Sequence, residues 1–262
     1  MKHPPFDKFF YYKKAVQNPA KEFDFFKKTF RSFYKKTPLL FREDFCGTFY
    51  MAFQWVQDHK LNKAIAIDVD KKPIEYGIKH HLCQLNASQK KRFTFLNKNI
   101  LTPRLPSAEL ITVSNFSYFA LKTQNLMLKY FKNVHKSLYK KGLFILDVMG
   151  GPDCEKIIEE ERKYKTFTYF WDQDYFDPIQ REGHYHIHFK RKGERKRLKQ
   201  FSYNWRLWTI PELKQLLLSA GFSEVYVYWE QSDKKGEGNG VFKKTKKAET
   251  CDSWIAYLVS IP

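Results

Sequence analysis

The segment at residues 39–48, together with the apolar run that follows it, constrains the fold most strongly. Apolar residues 39–41 lead into a turn at Gly47, and apolar residues 64–67 lead directly to Asp68. This pattern predicts a buried strand, a tight turn, a helix and a second buried strand. Because the carboxyl ends of parallel strands share one sheet edge, the turn amides and the Asp68 carboxylate should meet there. The arrangement favours a cofactor that contains ribose.

The alternation of strands and helices continues beyond this unit. Further strands are predicted at residues 93–97, 110–114 and 143–147, and helices at residues 49–58, 73–85, 123–139 and 211–220. Gly142 is expected to end the helix before the fifth strand. Two more strands, at residues 225–229 and 254–259, are separated by a polar loop at 234–247. The fold class is therefore α/β, with a doubly wound, mostly parallel sheet.

Two segments lie outside this alternation. Residues 1–37 alternate aromatic side chains with lysines, which predicts one or two amphipathic helices and an N-terminal helical segment. Strands at residues 165–171, 183–191 and 197–203 predict an antiparallel insertion spanning 165–204. Because no linker separates a further unit, residues 38–262 are treated as one domain.

The composition excludes several classes of protein. Hydrophobic residues make up 43% of the 262-residue chain, which is typical of a folded globular protein. No apolar run approaches the roughly 20 residues of a membrane span, and the N-terminus lacks a signal-peptide core. A cytoplasmic protein without membrane contact is expected. The four cysteines are scattered without C-x-x-C spacing, so neither a zinc site nor a disulfide framework is indicated.

The formal charge of +19 raises the question of a nucleic-acid partner. Lysines are spread along almost every segment, which favours an ordinary solvated surface over an RNA site. The densest run, residues 190–199, contains seven basic residues and one glutamate around Gly193. It is either a phosphate-contacting hairpin or a solvated turn, and the solvated turn is favoured.

Three histidines at alternate positions could suggest a metal. His184, His186 and His188 share one face of a predicted strand. Zinc sites usually draw a ligand from elsewhere in the chain as well. A half-solvated hairpin face is therefore favoured, and no metal is expected.

Several motifs together resemble the class I S-adenosylmethionine-dependent methyltransferases, within them a bacterial group of uncharacterised substrate. The resemblance is carried by residues 42–48 (REDFCGT), 205–208 (WRLW), 251–254 (CDSW) and the helical start at 11–17 (YYKKAVQ). It runs from about Leu39 to the C-terminus and is strongest up to Gly151. It implies a Rossmann-like sheet of seven strands, the last two forming an antiparallel hairpin at one edge. It also implies S-adenosylmethionine as the cofactor.

Carried over residue by residue, the resemblance places the acid of the first strand at Glu43. The glycine-rich turn falls on Phe45, Cys46, Gly47, Thr48 and Phe49. Two of the three usual glycines are thus replaced by phenylalanines, and only Gly47 can adopt a positive φ without steric cost. The replacement counts against a dinucleotide site, which needs room for a pyrophosphate.

Asp68 is expected to accept the ribose hydroxyls, with Val69 beside it. The alternatives are that Asp68 caps a turn or that Asp70 takes this role; Asp68 is favoured because it directly follows the apolar run. The resemblance places Asn99 at the adenine amino group, with Ile100 packing on the ring. A turn-forming Asn99 is nearly as well supported.

Residues 114–118 follow the fourth strand, where the resemblance places groups that face the methyl acceptor. Asn115 and Tyr118 are similar in outline to the ends of the Asn-Pro-Pro-Tyr motif of amino-group methyltransferases, although both prolines are missing. As a hypothesis, both are catalytic, and Asn115 also contacts the cofactor. The alternative is a loop with an Asn turn and a buried Tyr118.

Three further residues are candidates for substrate binding. Tyr12 lies in the N-terminal segment, which closes over the cofactor in related small-molecule enzymes. Arg206 and Trp208 could hold an anionic substrate through charge and cation–π contact. The alternative in each case is packing on the core. By the resemblance, the insertion covers the substrate side.

The sequence therefore predicts a methyltransferase that acts on a small polar or amine-bearing acceptor by in-line displacement. The alternatives are an RNA methyltransferase that uses the hairpin at 190–199, or an inactive methyltransferase-like RNA-binding protein. RNA is the less favoured partner because no known RNA-binding motif is found. The sequence specifies neither the acceptor and the methylated atom nor the oligomeric state.

Overall fold

The computed structural model describes residues 5–233 and 236–262. Residues 1–4 of the predicted N-terminal segment and residues 234–235 of the predicted polar loop lie outside this part. The helices are α1 (Lys8–Val16), α2 (Pro19–Tyr34), α3 (Tyr50–Asp58), α4 (Lys71–His80), α5 (Ala87–Lys90), α6 (Gln124–Ser137) and α7 (Ile210–Ser219). The strands are β1 (Leu40–Asp44), β2 (Lys63–Asp68), β3 (Phe93–Asn97), β4 (Ala108–Val113), β5 (Leu138–Gly150), β6 (Ile158–Lys163), β7 (Phe167–Asp177), β8 (Glu182–Arg191), β9 (Leu198–Arg206), β10 (Glu224–Ser232), β11 (Gly238–Thr245) and β12 (Trp254–Ile261).

The main sheet of the described chain has eight strands in the order β11-β10-β12-β5-β4-β1-β2-β3. All neighbours among β1 to β5 pair in parallel. Strand β12 runs antiparallel to both β5 and β10. The predicted doubly wound, mostly parallel sheet is confirmed. The carboxyl ends of β1, β2, β4 and β5 consequently lie along one edge, where ligands bind in such folds.

The prediction of seven strands is wrong by one. Residues 238–245, expected in a polar loop, form the edge strand β11, antiparallel to β10. The strand is polar and glycine-containing, so its sequence lacks the apolar alternation of a buried strand. Pairing with β10 supplies its hydrogen bonds, and the ring of Phe242 packs 4.6 Å from that of Tyr257.

Gly142 does not end a helix, as the sequence suggested, but lies within β5. Helix α6 ends at Ser137, and the chain extends at Leu138. A Cβ at Gly142 would lie 2.8 Å from the Leu138 side chain and 2.9 Å from the carbonyl oxygen of Glu109. The glycine is therefore required for close packing rather than for a cap.

A second, antiparallel sheet has the order β6-β7-β8-β9. Three of its strands were predicted as the insertion; the charged edge strand β6 was not. Helix α1 packs on this sheet, with the Tyr11 ring 5.0 Å from that of Phe167. Helix α2 instead packs on the main sheet, where Phe26 and Phe30 are fully buried. The two N-terminal helices thus connect the two sheets.

The sequence positions the start of α2 at Asn18. The Asn18 side chain accepts a hydrogen bond from the amide of Lys21, and Pro19 occupies the first helical turn. Among the helices of residues 5–233 and 236–262, none has both the length and the apolar character of a membrane span.

Candidate functional site

The turn after β1 contains three residues with left-handed backbone. Phe45, Gly47 and Phe49 have φ values of 56°, 53° and 50°. A non-glycine residue in this conformation costs about 1–2 kcal/mol, and packing of both rings offsets it. Phe49 lies 5.2 Å from Phe93, and Phe45 lies 5.8 Å from Tyr130. The phenylalanines therefore adopt the backbone that glycine would favour.

The space in front of Gly47 is open, because a Cβ placed there would meet nothing within 4 Å. Asp68 lies directly beside it: the amide of Gly47 donates to Asp68 Oδ2 at 2.7 Å, and the amide of Asp70 donates to Oδ1 at 2.8 Å. Burial raises the pKa of Asp68, partly offset by these amides. The two positions singled out in the sequence thus converge at one sheet edge.

Asp70, the competing carboxylate, has another role. Its Oδ1 accepts from the amide of Lys72 at 3.0 Å, so it caps the N-terminus of α4. Its side chain is exposed and forms no hydrogen bond with the turn at Gly47 within the described residues. The geometry therefore separates the two aspartates that the sequence left in competition.

Glu43 lies beneath the turn and is 5% exposed. Its Oε2 accepts from the amide of Ala52 at 2.9 Å, in the first turn of α3. Burial raises the pKa of Glu43 well above its ordinary value. The neighbouring Asp44 is neutralised by Arg42, which donates to both carboxylate oxygens at 2.9 and 3.0 Å. Glu43 forms no ion pair with any residue in the described part of the chain.

Two acidic residues of this edge were missed in the sequence analysis. Asp147, in β5, accepts from the amides of Asn115 and Phe116 at 2.6 and 3.0 Å. Glu22, in α2, accepts from the Ser114 hydroxyl at 3.3 Å. Burial raises the pKa of each to about 7, and for Glu22 the charge of Asp147 adds to the effect. The sequence feature that could have pointed to Asp147 is a charged residue within an otherwise apolar predicted strand.

The carboxyl edge therefore gathers several acids without counter-ions. No ion pair within 4 Å involves Glu22, Glu43, Asp68 or Asp147 in the described residues, in a chain of formal charge +19. The charges of Glu22 and Asp68 raise the pKa of Glu43, and the charge of Asp147 raises that of Glu22, because like charges repel and burial increases the repulsion. A positively charged ligand at this edge would remove the penalty.

The raised pKa of Glu22 leads us to predict how the free energy of unfolding changes with pH. Because the folded-state pKa is about 7 and the ordinary value is 4.5, the folded protein binds more protons between these values. Its contribution to stability is complete below pH 4.5 and is lost as pH rises through 7. We expect Glu22→Gln to be more stable than wild type at pH 8, by roughly 2 kcal/mol, and nearly equal at pH 5. Thermal unfolding at both pH values measures this; parallel pH profiles would contradict it.

Asn115 is brought to a large cavity, and Tyr118 is not. Asn115 and Phe116 have φ values of 58° and 56°. Both line a cavity of about 880 Å³ between the main sheet, the antiparallel sheet and α1. Tyr118 is fully buried, and its hydroxyl donates to the carbonyl oxygen of Asp147 at 2.7 Å. Tyr118 therefore supports the edge from below.

The predicted substrate-binding residues also differ in whether they line the large cavity. Tyr12 lines the large cavity. Arg206 instead pairs with Glu212 at 2.6 Å, and its guanidinium lies 3.6 Å from the Trp208 ring centroid. Trp208 is buried and donates to the carbonyl oxygen of Leu121 at 3.2 Å. This pair fixes the start of α7 and does not line the large cavity.

The remaining predicted cofactor-binding residues differ in how far their side chains are exposed. Cys46 is 3% exposed and Ile100 is 5% exposed, so both side chains lie in the core. The Thr48 carbonyl oxygen accepts from His81 Nδ1 at 3.0 Å. Val69 is 64% exposed, beside Asp68. Asn99 Oδ1 accepts from the amide of Leu101 at 2.8 Å, as expected of a turn-forming asparagine.

The three histidines of β8 lie on the sheet face opposite Tyr185 and Ile187. His186 Nε2 lies 2.9 Å from Asp174, and His188 Nε2 lies 2.8 Å from Asp172. Within the described residues no group of three or more potential ligands is placed to hold a metal ion. At the basic hairpin, Arg191 pairs with Glu194 and Arg197 with Glu159.

No protein-family model matches the chain, and no curated protein matches it. Solved structures do match over nearly the whole length. A S-adenosylmethionine-dependent methyltransferase from Clostridium acetobutylicum is 17% identical, with a TM-score of 0.69, covering 97% of this chain and 96% of that one. DesVI of Streptomyces venezuelae is 12% identical, with a TM-score of 0.67 and coverages of 97% and 95%.

A third match is CalS10, described as an amino pentose methyltransferase from Micromonospora echinaspora. It is 11% identical, with a TM-score of 0.65, covering 98% of this chain and 99% of that one. At these identities the likeness shows the fold alone. The chain has the Rossmann-like fold of class I methyltransferases, with an antiparallel insertion after β5.

Proposed function

We propose that the protein is an S-adenosylmethionine-dependent methyltransferase whose acceptor is a small polar or amine-bearing molecule. The observation that carries this proposal is the group of acids without counter-ions around an open turn. Asp68 accepts from the amide of Gly47, where a Cβ would have free space. The charges of Asp68 and Glu22 act on Glu43, and that of Asp147 acts on Glu22. The described residues thus place carboxyl groups with raised pKa values near an exposed backbone, and a cationic ligand would favour their charged form.

S-Adenosylmethionine fits this edge because its sulfonium and α-ammonium groups are both positive. The Asp68 carboxylate would hold the ribose hydroxyls. The pyrophosphate of a dinucleotide would be repelled by the same acids. It would also lack the amide of Ala52 at the start of α3, because Glu43 already accepts that bond at 2.9 Å. The donor set favours a cationic nucleoside over a dinucleotide.

The bound cofactor supplies a methyl group that its sulfonium already activates. The protein has to orient the acceptor in line with the methyl carbon and to exclude water. Asn115 and Tyr12 line the cavity in which the acceptor would lie. Of the N-terminal segment, α1 would act as the lid, since α2 packs on the main sheet, and the antiparallel insertion would cover the substrate side. The amino pentose named for CalS10 supports an amine-bearing acceptor.

Calorimetric titration with S-adenosylmethionine tests the proposal. We expect binding at one site per chain, with S-adenosylhomocysteine competing. Absence of binding by either would overturn the activity and leave the inactive, RNA-binding alternative. Salt-dependent retention on transfer RNA, weakened by neutralising the hairpin at 190–199, would favour the RNA alternative over a small acceptor.

The role of Asn115 can be tested with a variant that avoids backbone strain. Glycine adopts the φ of 58° at this position without steric cost, whereas alanine does not. We expect Asn115→Gly to lower turnover by about tenfold or more, as loss of a positioning group commonly does, with cofactor affinity changed much less. The measurement is methyl transfer at saturating cofactor. Unchanged turnover would remove Asn115 from the acceptor site.

A further inference from the structure

The large cavity differs in charge from the rest of the molecule. Among the described residues, its charged lining comprises four carboxylates (Asp153, Glu160, Glu230, Glu237) and two basic groups (Lys21, Arg162). The chain as a whole carries a formal charge of +19. A cleft lined mainly by carboxylates in a positively charged protein concentrates negative electrostatic potential on its ligand.

Three of these carboxylates form no ion pair with any described residue. Asp153 pairs with Lys156 at 2.8 Å. Within residues 5–233 and 236–262, no ion pair within 4 Å involves Glu160, Glu230 or Glu237. Glu160 and Glu237 are exposed, whereas Glu230 is partly buried, and an uncompensated carboxylate in a partly desolvated position favours a cationic partner. The described part of the cavity therefore offers three carboxylates that no described cation contacts directly.

Glu230 is the most enclosed of the three. It is half-buried on β10, and its Oε1 accepts from the amide of Gly240 at 2.8 Å. A Cβ at Gly238 would lie 2.8 Å from both Glu230 carboxylate oxygens, so the backbone of β11 approaches the carboxylate closely. The edge strand that the sequence did not predict thus packs around this acid.

Aromatic rings form much of the remaining wall. Tyr203 stacks on Trp205 with ring centroids 4.3 Å apart, and Trp229 packs on Trp254 at 4.8 Å. The Trp171 ring is oriented by its Nε1, which donates to Gln173 at 3.1 Å. Indole and phenol faces attract organic ammonium groups, and their apolar area packs against methylene chains.

The cavity carboxylates and the predicted methyl-transfer position at Asn115 lie on different structural elements. Asn115 and Phe116 follow β4, and the Phe116 ring lies 6.5 Å from Trp205. Glu160 belongs to β6 and Glu230 to β10, both outside the five parallel strands. A ligand that spans the cavity would therefore present one end to Asn115 and the other to these carboxylates.

On the premise of the activity proposed above, we propose that the acceptor is an aliphatic di- or polyamine. One neutral nitrogen lies at Asn115 and gives its lone pair to the methyl carbon. The carbon–sulfur bond breaks with its electron pair on sulfur, and the new ammonium group loses its proton to solvent. A second, protonated nitrogen binds the carboxylates of Glu230 and Glu160 against the tryptophans.

Calorimetry with three probes of equal chain length tests the charge preference: 1,4-diaminobutane, 1-aminobutane and 4-aminobutyrate. Each is titrated into the full-length protein, both cofactor-free and loaded with S-adenosylhomocysteine. We expect the diamine to bind at least tenfold more tightly than either other probe, because it alone can place an ammonium at the carboxylates and a second nitrogen at Asn115. Glu230→Gln and Glu160→Gln should each lower the affinity for the diamine by about tenfold.

Glu161→Gln is the matched control. Glu161 is adjacent to Glu160 on β6, points to the opposite face and pairs with Lys163 at 3.3 Å. It should leave the diamine preference unchanged. Equal binding of the diamine and the monoamine, or preference for 4-aminobutyrate, would overturn the inference. If the same preparation binds cofactor, the proposed methyltransferase activity would still stand. Failure to bind cofactor would instead remove the activity, with the charge preference still measured on the free protein.

Discussion

Replacing Asp68 by alanine is expected to weaken the binding of S-adenosylmethionine by about 100-fold. The carboxylate would accept two ribose hydroxyls, and each hydrogen bond to a charged group contributes about 1.5 kcal/mol or more. Its contact with the Gly47 amide, at 2.7 Å, also fixes the turn that faces the cofactor. Calorimetric titration of the folded variant measures the loss.

Asp70→Ala provides the control for this experiment. Asp70 is two residues away, and its carboxylate caps α4 through the amide of Lys72. We expect this variant to lose about 1 kcal/mol of stability with cofactor affinity nearly unchanged. If both variants lost affinity equally, Asp68 would have no special role at the ribose.

The largest effect on stability is expected from Arg42→Met. Arg42 and Asp44 are both fully buried, and the guanidinium donates to both carboxylate oxygens. Arg42 also donates to the Pro106 carbonyl oxygen and to the Ser137 hydroxyl, at 2.8 and 2.7 Å. Its removal leaves a buried carboxylate without a counter-ion, which costs about 3–5 kcal/mol. Denaturant unfolding measures the change.

Two further variants separate this mechanism from a general loss of charge. Lys28→Met removes an exposed ion pair with Asp24 and should change stability by less than about 1 kcal/mol. The double variant Arg42→Met/Asp44→Leu removes both buried charges and should be more stable than Arg42→Met alone. A double variant that is still less stable would show that packing, not the orphaned charge, dominates.

Local patterns were sufficient for the parallel half of the fold. Apolar runs of strand length alternated with helical periodicity, and the acid at Asp68 directly followed such a run. The turn at Gly47 and the end of β2 therefore had to share a sheet edge. Three strands of the insertion were predicted because strand-like segments joined by turns follow one another there without intervening helices. These elements depend mainly on side chains close together in the sequence.

The failures occurred where distant residues decide the outcome. Strand β11 is polar, and its hydrogen bonds come from β10. Glu22 carried no signal of its own, because its burial and its contact with Ser114 depend on how α2 packs on the sheet. The pairing of Arg206 with Glu212 and the hydrogen bond from Trp208 to the Leu121 carbonyl oxygen likewise had no signal in the local sequence pattern.

The sequence by itself determined the parallel sheet and the meeting of Gly47 with Asp68, because strand periodicity and the position of a turn are local properties. Only the tertiary structure decided that Glu22, Glu43 and Asp147 are buried with raised pKa values and form no ion pair with any described residue. It also decided that the carboxylates Glu160 and Glu230 line the large cavity. Whether a charged group is buried and paired depends on every element packed around it. The local sequence does not specify which distant elements these are.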